Sequence, residues 1–457
     1  MARTNTLGNF LTDVADAIRT KKGSSGTIQA SSFDSEILSI PSGGTTVESN
    51  DVNFYDYDGT LLYSYSKADF LELTEMPSNP SHEGLTAQGW NWTLSEAQTF
   101  LADKSYVDIG QVYEPTDGKT KIYVSLTGAT LNPTLSIIVV GTVTIDWGDN
   151  STPDTVTGTD TTTVIDTTHT YSSDGDYVIT LDSNTTIYVP GGDNTYGSKF
   201  FWKGGTLDYS NQTYLFAINK VIFGNNVSLS KGTLRSCKNL KSVVLPNNVT
   251  TSMGTSFFAD CVTLKHITIP KTAGYVLGSY FVNRCYNLKS VSLSSTTTKL
   301  NQDCFDLCYI LERICLPNSI TTLSSYLFGD CNFEKIEISN NVSQIRGFSG
   351  LYLLKSVTIN QDCYFSNGSF TNCYSIVEFN VLGNITSIGS SIFTNNYSCL
   401  KYDFTGCTAV PTLSNANAFS NINPNCKIIV PDSLYNDWIS ANNWSTYSSY
   451  IVKESSV

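Results

Sequence analysis

No run of 18 apolar residues occurs in this chain of 457, so no helix of it is expected to span a bilayer. Positive charge is scarce as well. Lys and Arg number 27 against 40 Asp and Glu, a net charge of −13. Nucleic-acid binding asks for a basic face, and an anionic membrane surface repels an acidic one. The expected partners therefore include no nucleic acid and no membrane. Histidine is limited to His82, His169 and His266, none with a partner group that the sequence places beside it. Catalytic and metal centres need convergent side chains of that kind. The reading is accordingly no enzyme, no cofactor and no metal. Charged residues make up only 15%, with abundant Ser, Thr, Asn and Gly. That composition disfavours helical bundles and favours an extended, mainly β, multidomain chain. Cysteine is absent before Cys237, the first of twelve.

What is present from Ile218 to Tyr402 is a repeat. Leu234-x-x-Cys237-x-x-Leu240 leads into Val243 and Leu245, and Phe258-x-x-Cys261-x-x-Leu264 into Ile267 and Ile269. The same frame returns at Val282/Cys285/Leu288, Phe305/Cys308/Leu311, Phe328/Cys331/Phe333 and Phe370/Cys373/Ile376, and without the cysteine at Leu354. Ile218, Val221 and Phe223 make a first rung. Rungs begin at 218, 240, 264, 288, 311, 333, 354, 376 and about 400, a period of 21 to 24 residues. Alternate residues of Val-x-Leu or Ile-x-Ile point inward from a short strand, and no single rung can bury the set. About nine rungs at about 4.8 Å each give a rod of about 40 Å with one core. Asn-Asn-Val249, Ile320–Leu323, Val342–Ile345 and Ile385–Ile388 read as a second short strand per rung. Stretches such as LKHITIP, LERICLPNSITTLSSYLFGDC and NITSIGSSIF resemble the BspA-type leucine-rich repeat, which implies a solenoid over residues 191–430 and leaves function open.

Seven cysteines (237, 261, 285, 308, 331, 373, 399) sit at or near one repeat position. They read as a buried ladder of free thiols acting as small hydrophobes. A metal site at Cys304, Cys308 and Cys315 is the competing reading, without a second close pair or a nearby His.

Ahead of the array come three further segments. In residues 1–45, Leu7, Phe10, Leu11, Val14 and Ile18 form the stripe of an amphipathic helix over 5–22, followed by a second over 32–40. Burial is worth about 1.5–3 kcal/mol per large side chain, but only against a partner. This segment resembles the N-terminus of many structural proteins of phages of Gram-positive bacteria. The resemblance implies docking to other virion proteins and a homo-oligomer, trimer included. Residues 46–117 read as a small α/β domain. Strands flank the Asp58-Gly59 hairpin, capping boxes stand at Ser66 and Thr93, a helix is stopped by Pro77, and Trp90 and Trp92 lie in the core. Asp56-x-Asp58-Gly59-Thr60 matches the nucleophile motif of haloacid-dehalogenase-like phosphatases, but the doubly wound sheet which that chemistry needs is missing. The stretches FYDYDGT, NPSHEGLTAQGWNWTL and DIGQ resemble a segment preceding β-sandwich and repeat domains in phage-type proteins of gut Firmicutes.

Residues 118–190 read as a β-sandwich with strands at 121–126, 135–140, 142–147, 162–166 and 177–181. Trp147-Gly148-Asp149 and His169-Thr-Tyr171 with Gly175 and Tyr177 resemble the PKD-like domain, with Asn150 where that family has a second Gly. Asp146 and Asp149 read as turn formers, with Ca²⁺ as the alternative. Residues 191–217 are expected to cap the first rung, and 431–457 to close the last, with Leu434, Trp438 and Ile439 inward.

Residues 1–23 hold no secretory leader and the C-terminus no anchor, so the expected setting is a virion assembled in the host bacterial cytoplasm. The expected role is a phage tail, baseplate or head-fibre protein that binds a host cell-surface glycan or protein. The alternatives are an adhesin of a Gram-positive commensal or a passive decoration. Tyr275, Tyr286, Tyr309, Tyr326 and Tyr374 are the candidate glycan contacts, with Tyr280 and Tyr352 beside them.

Overall fold

A computed structural model describes residues 51–192, 197–205, 211–247, 253–271 and 275–457. The helices expected within 1–45, with Leu7, Phe10, Leu11, Val14 and Ile18, lie outside the described residues, as does Val249. Among the described residues, no helix is long and apolar enough to cross a membrane.

The chain begins with a small four-stranded unit. It contains β1 (Val52–Tyr55), β2 (Leu61–Tyr65), α1 (Lys67–Leu71), β3 (Leu85–Trp90), α2 (Leu94–Asp103) and β4 (Val107–Pro115), in sheet order β2-β1-β4-β3. β1 and β2 form the expected hairpin, closed by Asp56 N on Thr60 O at 2.8 Å. Ser66 caps α1, and Thr93 with Glu96 forms a complete capping box on α2. The first helix stops at Leu71, well short of Pro77. Trp90 and Trp92 are buried.

Next come β5 (Thr120–Leu126), β6 (Thr134–Asp146), β7 (Asp154–Thr159), β8 (Ile165–Thr168), β9 (Gly175–Asp182), β10 (Ile187–Tyr188) and β11 (Phe201–Trp202). Two strands expected at 135–140 and 142–147 are one, bent at Gly141. There φ is +113°, and a Cβ would meet the Thr185 side chain at 3.2 Å. On one side of the bend β6 pairs β8, β10 and β11, and on the other β7 and β9, so it turns a corner between two sheets.

The strands of this unit continue directly into the array. After α3 (Asn211–Leu215), β12 (Ile218–Ile222) runs antiparallel to β5 on one edge and parallel to β14 (Ser242–Val244) on the other. On the second side, β13 (Val227–Ser228) pairs β10 in parallel. Both ladders of the solenoid thus start on the β5–β11 unit, and one buried cluster runs from Ile122 to Ile451. The cap assigned to residues 191–217 is mainly this unit, because an edge strand satisfies the first rung's backbone as no loop can.

Further rungs add strands to each ladder. The first contains β15 (His266–Thr268), β17 (Ser290–Ser292), β19 (Lys335–Glu337), β21 (Ser356–Ile359), β23 (Glu378–Val381), β25 (Lys401–Asp403) and β27 (Lys427–Val430). The second contains β16 (Tyr275–Leu277), β18 (Thr297–Leu300), β20 (Gln344–Ile345), β22 (Cys363–Phe365), β24 (Ile385–Ile388) and β26 (Thr412–Leu413). The array is a β-solenoid of about 10 turns. Beyond β27 the chain forms α4 (Tyr435–Ser440), which buries Trp438, and returns as β28 (Ile451–Lys453) parallel to β27. The first ladder therefore ends on β28.

The third side of each rung is a turn with left-handed residues four apart, as at Ser256/Asp260, Tyr280/Arg284, Asp303/Leu307 and Tyr326/Asp330. Such a conformation costs about 1–2 kcal/mol per residue. Backbone bonds between rungs offset it: Phe258 N to Phe281 O at 2.8 Å, Val282 N to Cys304 O at 2.9 Å, Phe305 N to Leu327 O at 3.0 Å. Phenylalanines stack up this side, with Phe348 and Phe370 at 5.2 Å and 7°. The cysteines do more than fill space. Five thiols at the repeat position donate to a carbonyl one rung back: Cys261 to Leu234 O at 3.0 Å, Cys285 to Phe258 O at 3.1 Å, Cys308 to Val282 O at 3.3 Å, Cys331 to Phe305 O at 3.2 Å, Cys373 to Phe348 O at 3.2 Å. Leu351 takes the position in the rung without a cysteine. Asn396 takes it in the next-but-one, so Cys399 lies three residues later, where other rungs have Leu or Ile. All twelve cysteines are free and buried, and burial raises their thiols, that of Cys373 to about 12.

A thiol reagent is accordingly expected to label none of the twelve in the native protein and all of them after denaturation. Cys308→Ala should lower stability by about 1–2 kcal/mol through the lost contact and bond. Rapid native labelling at Cys285 or Cys308 would contradict this account.

Candidate functional site

The small N-terminal unit lies against the first ladder of the solenoid, and one donor reaches each of several rungs. Asn91 Nδ2 donates to Ile269 O at 3.0 Å and Ser292 O at 2.9 Å, and Trp92 Nε1 to Leu293 O at 2.8 Å. Tyr106 Oη donates to Ile314 O at 2.9 Å, and Lys104 Nζ to Ile338 O at 2.5 Å. β4 comes so close that a Cβ on Gly110 would sit 2.2 Å from Thr268 Oγ1. Asp108, fully buried, pairs with Arg313, whose guanidinium also stacks over the Tyr106 ring at 5.0 Å. This ladder's outer face is therefore largely covered across these rungs.

His266 shows what the docking does. Its side chain points outward from the strand, as the repeat frame predicts, yet it is fully buried. The Tyr55 ring stacks on it at 5.1 Å and 28°. Its Nδ1 bonds Ser290 Oγ at 2.7 Å and its Nε2 bonds Thr268 Oγ1 at 3.0 Å. Burial, only partly countered by Asp58, pushes its pKa down to about 3.

The other histidines also have partners that sequence order conceals. His82 Nε2 bonds Asp56 Oδ2 at 2.6 Å. Asp56 is buried and also accepts from Tyr113 Oη at 2.9 Å and Tyr57 N at 2.8 Å, while Asp58 accepts from Thr60 N at 2.9 Å. The Asp56-x-Asp58-Gly59-Thr60 motif thus closes a hairpin. His169 stacks on Trp147 at 4.8 Å and bonds Asp149 Oδ2 at 2.8 Å. Asp149 also accepts from Ser151 N at 3.0 Å, and Asp146 from Gly148 N at 2.9 Å, the geometry of turn formers. Cys304 and Cys308 lie in the solenoid interior, but Cys315 faces the small unit's core. Among the described residues, no group of three or more His, Cys, Asp or Glu is placed to hold a metal.

The candidate tyrosines fall into three sets. Tyr286 and Tyr309, each one residue after a repeat cysteine, stack at 5.2 Å and 9°. Asn332 interrupts that column. It resumes with Tyr352, Tyr374 and Tyr397, spaced 5.2 and 5.6 Å. These rings are 37–52% exposed, but two carbon contacts of about 3.5–4 Å each need roughly 7–8 Å between planes. No sugar fits between neighbours, so each column offers its outer edge, its hydroxyls and its end faces. Tyr280 is 40% exposed. For Tyr275 the backbone in β16 is described and the side chain is not.

Tyr326 stands apart. It is the most exposed of these rings at 60%, and no aromatic ring stacks on it among the described residues. It borders a pocket of ≈ 470 Å³ with Arg346, Ser349, Ser366, Asn367, Thr371 and Asn372. A cavity of equal volume lies where the small unit meets the array, with Tyr55, Leu61, Asp108, Lys265, Lys289 and Glu312 around it. Sequence reasoning missed both pockets. Tyr326 had been named, but Arg346 lies in the next rung and its neighbours are ordinary polar residues.

The family model for the BspA type leucine rich repeat region matches residues 209–284 and 275–400, in six copies. The array therefore carries BspA-type leucine-rich repeats. Among solved structures, the chain is similar to a leucine rich repeat protein of T. pallidum (20% identity, 40% of this chain and 83% of that one, TM-score 0.30). It is also similar to a leucine-rich repeat protein from Bacteroides ovatus (15%, 60% and 94%, TM-score 0.31). A third is a leucine rich cell surface protein from Faecalibacterium prausnitzii (16%, 60% and 92%, TM-score 0.30). No curated protein matches the chain.

The buried His266 leads to a pH dependence of stability. Its folded pKa lies below the unfolded value of about 6.5, so its contribution is complete above that pH and is lost as pH falls toward 3. Wild type should lose up to roughly 1.4 kcal/mol per pH unit below about 6.5 relative to His266→Gln. Parallel melting curves of the two proteins between pH 7 and 4.5 would contradict the assignment.

Proposed function

We propose that this chain is a non-enzymatic recognition protein of a phage particle, whose solenoid holds a glycan of the host cell surface. The observation that carries the reading is the exposed side of the array. Tyrosine edges, hydroxyls and amides recur there at rung spacing, and Tyr326 opens onto a polar pocket, while the small unit covers the early part of the first ladder. A polymer of repeating units can engage several such sites together, and multivalency turns weak contacts into firm attachment. The assignment to a phage rests on the resemblance of residues 1–45 to phage structural proteins. In this reading that segment is the assembly handle, and Leu7, Phe10, Leu11, Val14 and Ile18 meet other virion proteins or further copies of the chain. The PKD-like resemblance of the β5–β11 unit is consistent with a presenting module.

The test uses the full chain and a variant without residues 1–45. The full chain should bind host cells and lose most of that binding after their surface polysaccharide is stripped. The truncated protein should bind cells equally, yet neither enter particles nor oligomerise. Normal incorporation of the truncation refutes the handle. Antibody labelling of the bacterial wall rather than the particle would make the protein an adhesin with the same binding face. Absence of cell binding, with particles lacking the protein adsorbing normally, would reduce it to a passive decoration.

A further inference from the structure

The pocket beside Tyr326 has a more specific chemistry than a general sugar site. Arg346 directly follows β20, and its Nε donates to the carbonyl of Leu323 in the rung before, which fixes the plane of the guanidinium. Among the described residues no carboxylate comes within ion-pairing distance of it. It is half-buried, so its charge is less screened than that of a surface lysine. The pocket's amides are also biased toward donation. Asn367 Oδ1 accepts from Ser390 N at 2.9 Å, and Asn372 Oδ1 accepts from Asn395 Nδ2 at 2.7 Å. Each thus spends its acceptor within the protein and keeps its Nδ2 hydrogens. Ser366 Oγ likewise accepts from Gln344 Nε2 at 2.8 Å. Fixed donors around an unpaired guanidinium, with an exposed aromatic ring at the rim, complement a ring-shaped ligand bearing an anion. A planar guanidinium offers two parallel N–H groups to a carboxylate or phosphate.

We propose that this pocket binds an acidic sugar unit, its carboxylate or phosphate on Arg346 and its ring against Tyr326. This deepens the reading of the solenoid as a glycan receptor and rests on it. A net charge of −13 sharpens the point, because an acidic polymer is repelled by most of the surface and finds its favourable contact at such a local cationic site.

Titration calorimetry on the full chain, with three probes, tests this. They are an oligogalacturonate, which offers carboxylates, an oligo(glycerol phosphate), which offers phosphodiesters, and a neutral glucan of similar length. At least one acidic probe should bind, more weakly as salt rises, and the neutral one at least tenfold more weakly. Arg346→Gln should reduce acidic binding tenfold or more, and Arg346→Lys should restore part of it. Arg346 also bonds the neighbouring rung, so Asn367→Asp serves as the second variant. It keeps the acceptor for Ser390 N, turns the outward donor into a negative charge and should abolish binding with an unchanged melting temperature. Preference between the two acidic probes identifies the source of the anion. The inference falls if neither acidic probe binds at millimolar concentration, if the neutral probe binds as well as they do, or if both variants bind like wild type. Host-cell binding by the full chain that survives any of these results leaves the receptor reading standing and removes only the acidic-sugar assignment.

Discussion

The carbonyl of Phe258 accepts the amide of Cys261 from its own rung at 3.1 Å and the thiol of Cys285 from the next rung at 3.1 Å. This exchange is the constraint under which the array is built. A rung of 21 to 24 residues encloses too little apolar surface to fold alone, and its closing turn holds left-handed residues that cost energy. Each rung is therefore stable only to the extent that its neighbours supply backbone donors, thiol donors and phenylalanine faces. A thiol suits the position because it is small and apolar enough for a dry interior and still donates weakly. Leucine fits only where the donation is dispensed with, as at Leu351.

The same constraint explains the ends. A stack completed by neighbours has two faces without one. At the start, β5 and β10 supply edges to β12 and β13, so the β5–β11 unit is a structural part of the stack and not a detachable spacer. At the far end, α4 covers the interior with Trp438, and β28 extends the first ladder by one more strand. The buried cluster that runs unbroken from Ile122 to Ile451 is the outcome.

The repeat was legible because its signal is short-range: one strand, one turn and one cysteine recur within a single period, and the first rung could be placed from Ile218, Val221 and Phe223. Hairpin, capping and turn-forming residues were legible for the same reason. What the sequence concealed was contact between segments some two hundred residues apart. Nothing near Asn91, Trp92 or Tyr106 marks them as donors to Ile269, Leu293 and Ile314, since a carbonyl acceptor has no side-chain signature. His266 looked like a solvent-facing residue because strand alternation says which way a side chain points and not what lies beyond it. The tyrosine columns were half legible: the repeat frame marks which tyrosines recur, but only geometry shows that stacking at about 5 Å closes the faces between neighbours and leaves the end faces, whereas no ring stacks on Tyr326 among the described residues.

Docking of the small unit also makes the faces of the array unequal. Successive rungs present similar faces, and none is favoured for binding by the repeat itself. Once Gly110 brings β4 against Thr268 and Asn91 bridges two rungs, the outer face of the early part of the first ladder is closed, and the buried Asp108–Arg313 pair makes opening it costly. The second ladder and the turn side stay accessible. Tyr326 and Arg346 border one pocket where those two sides join, and its other lining residues are small and polar or glycine. That junction combines a fixed charge, free amide donors and an aromatic ring, and the rung-to-rung bonds that hold the array together also hold those three in place.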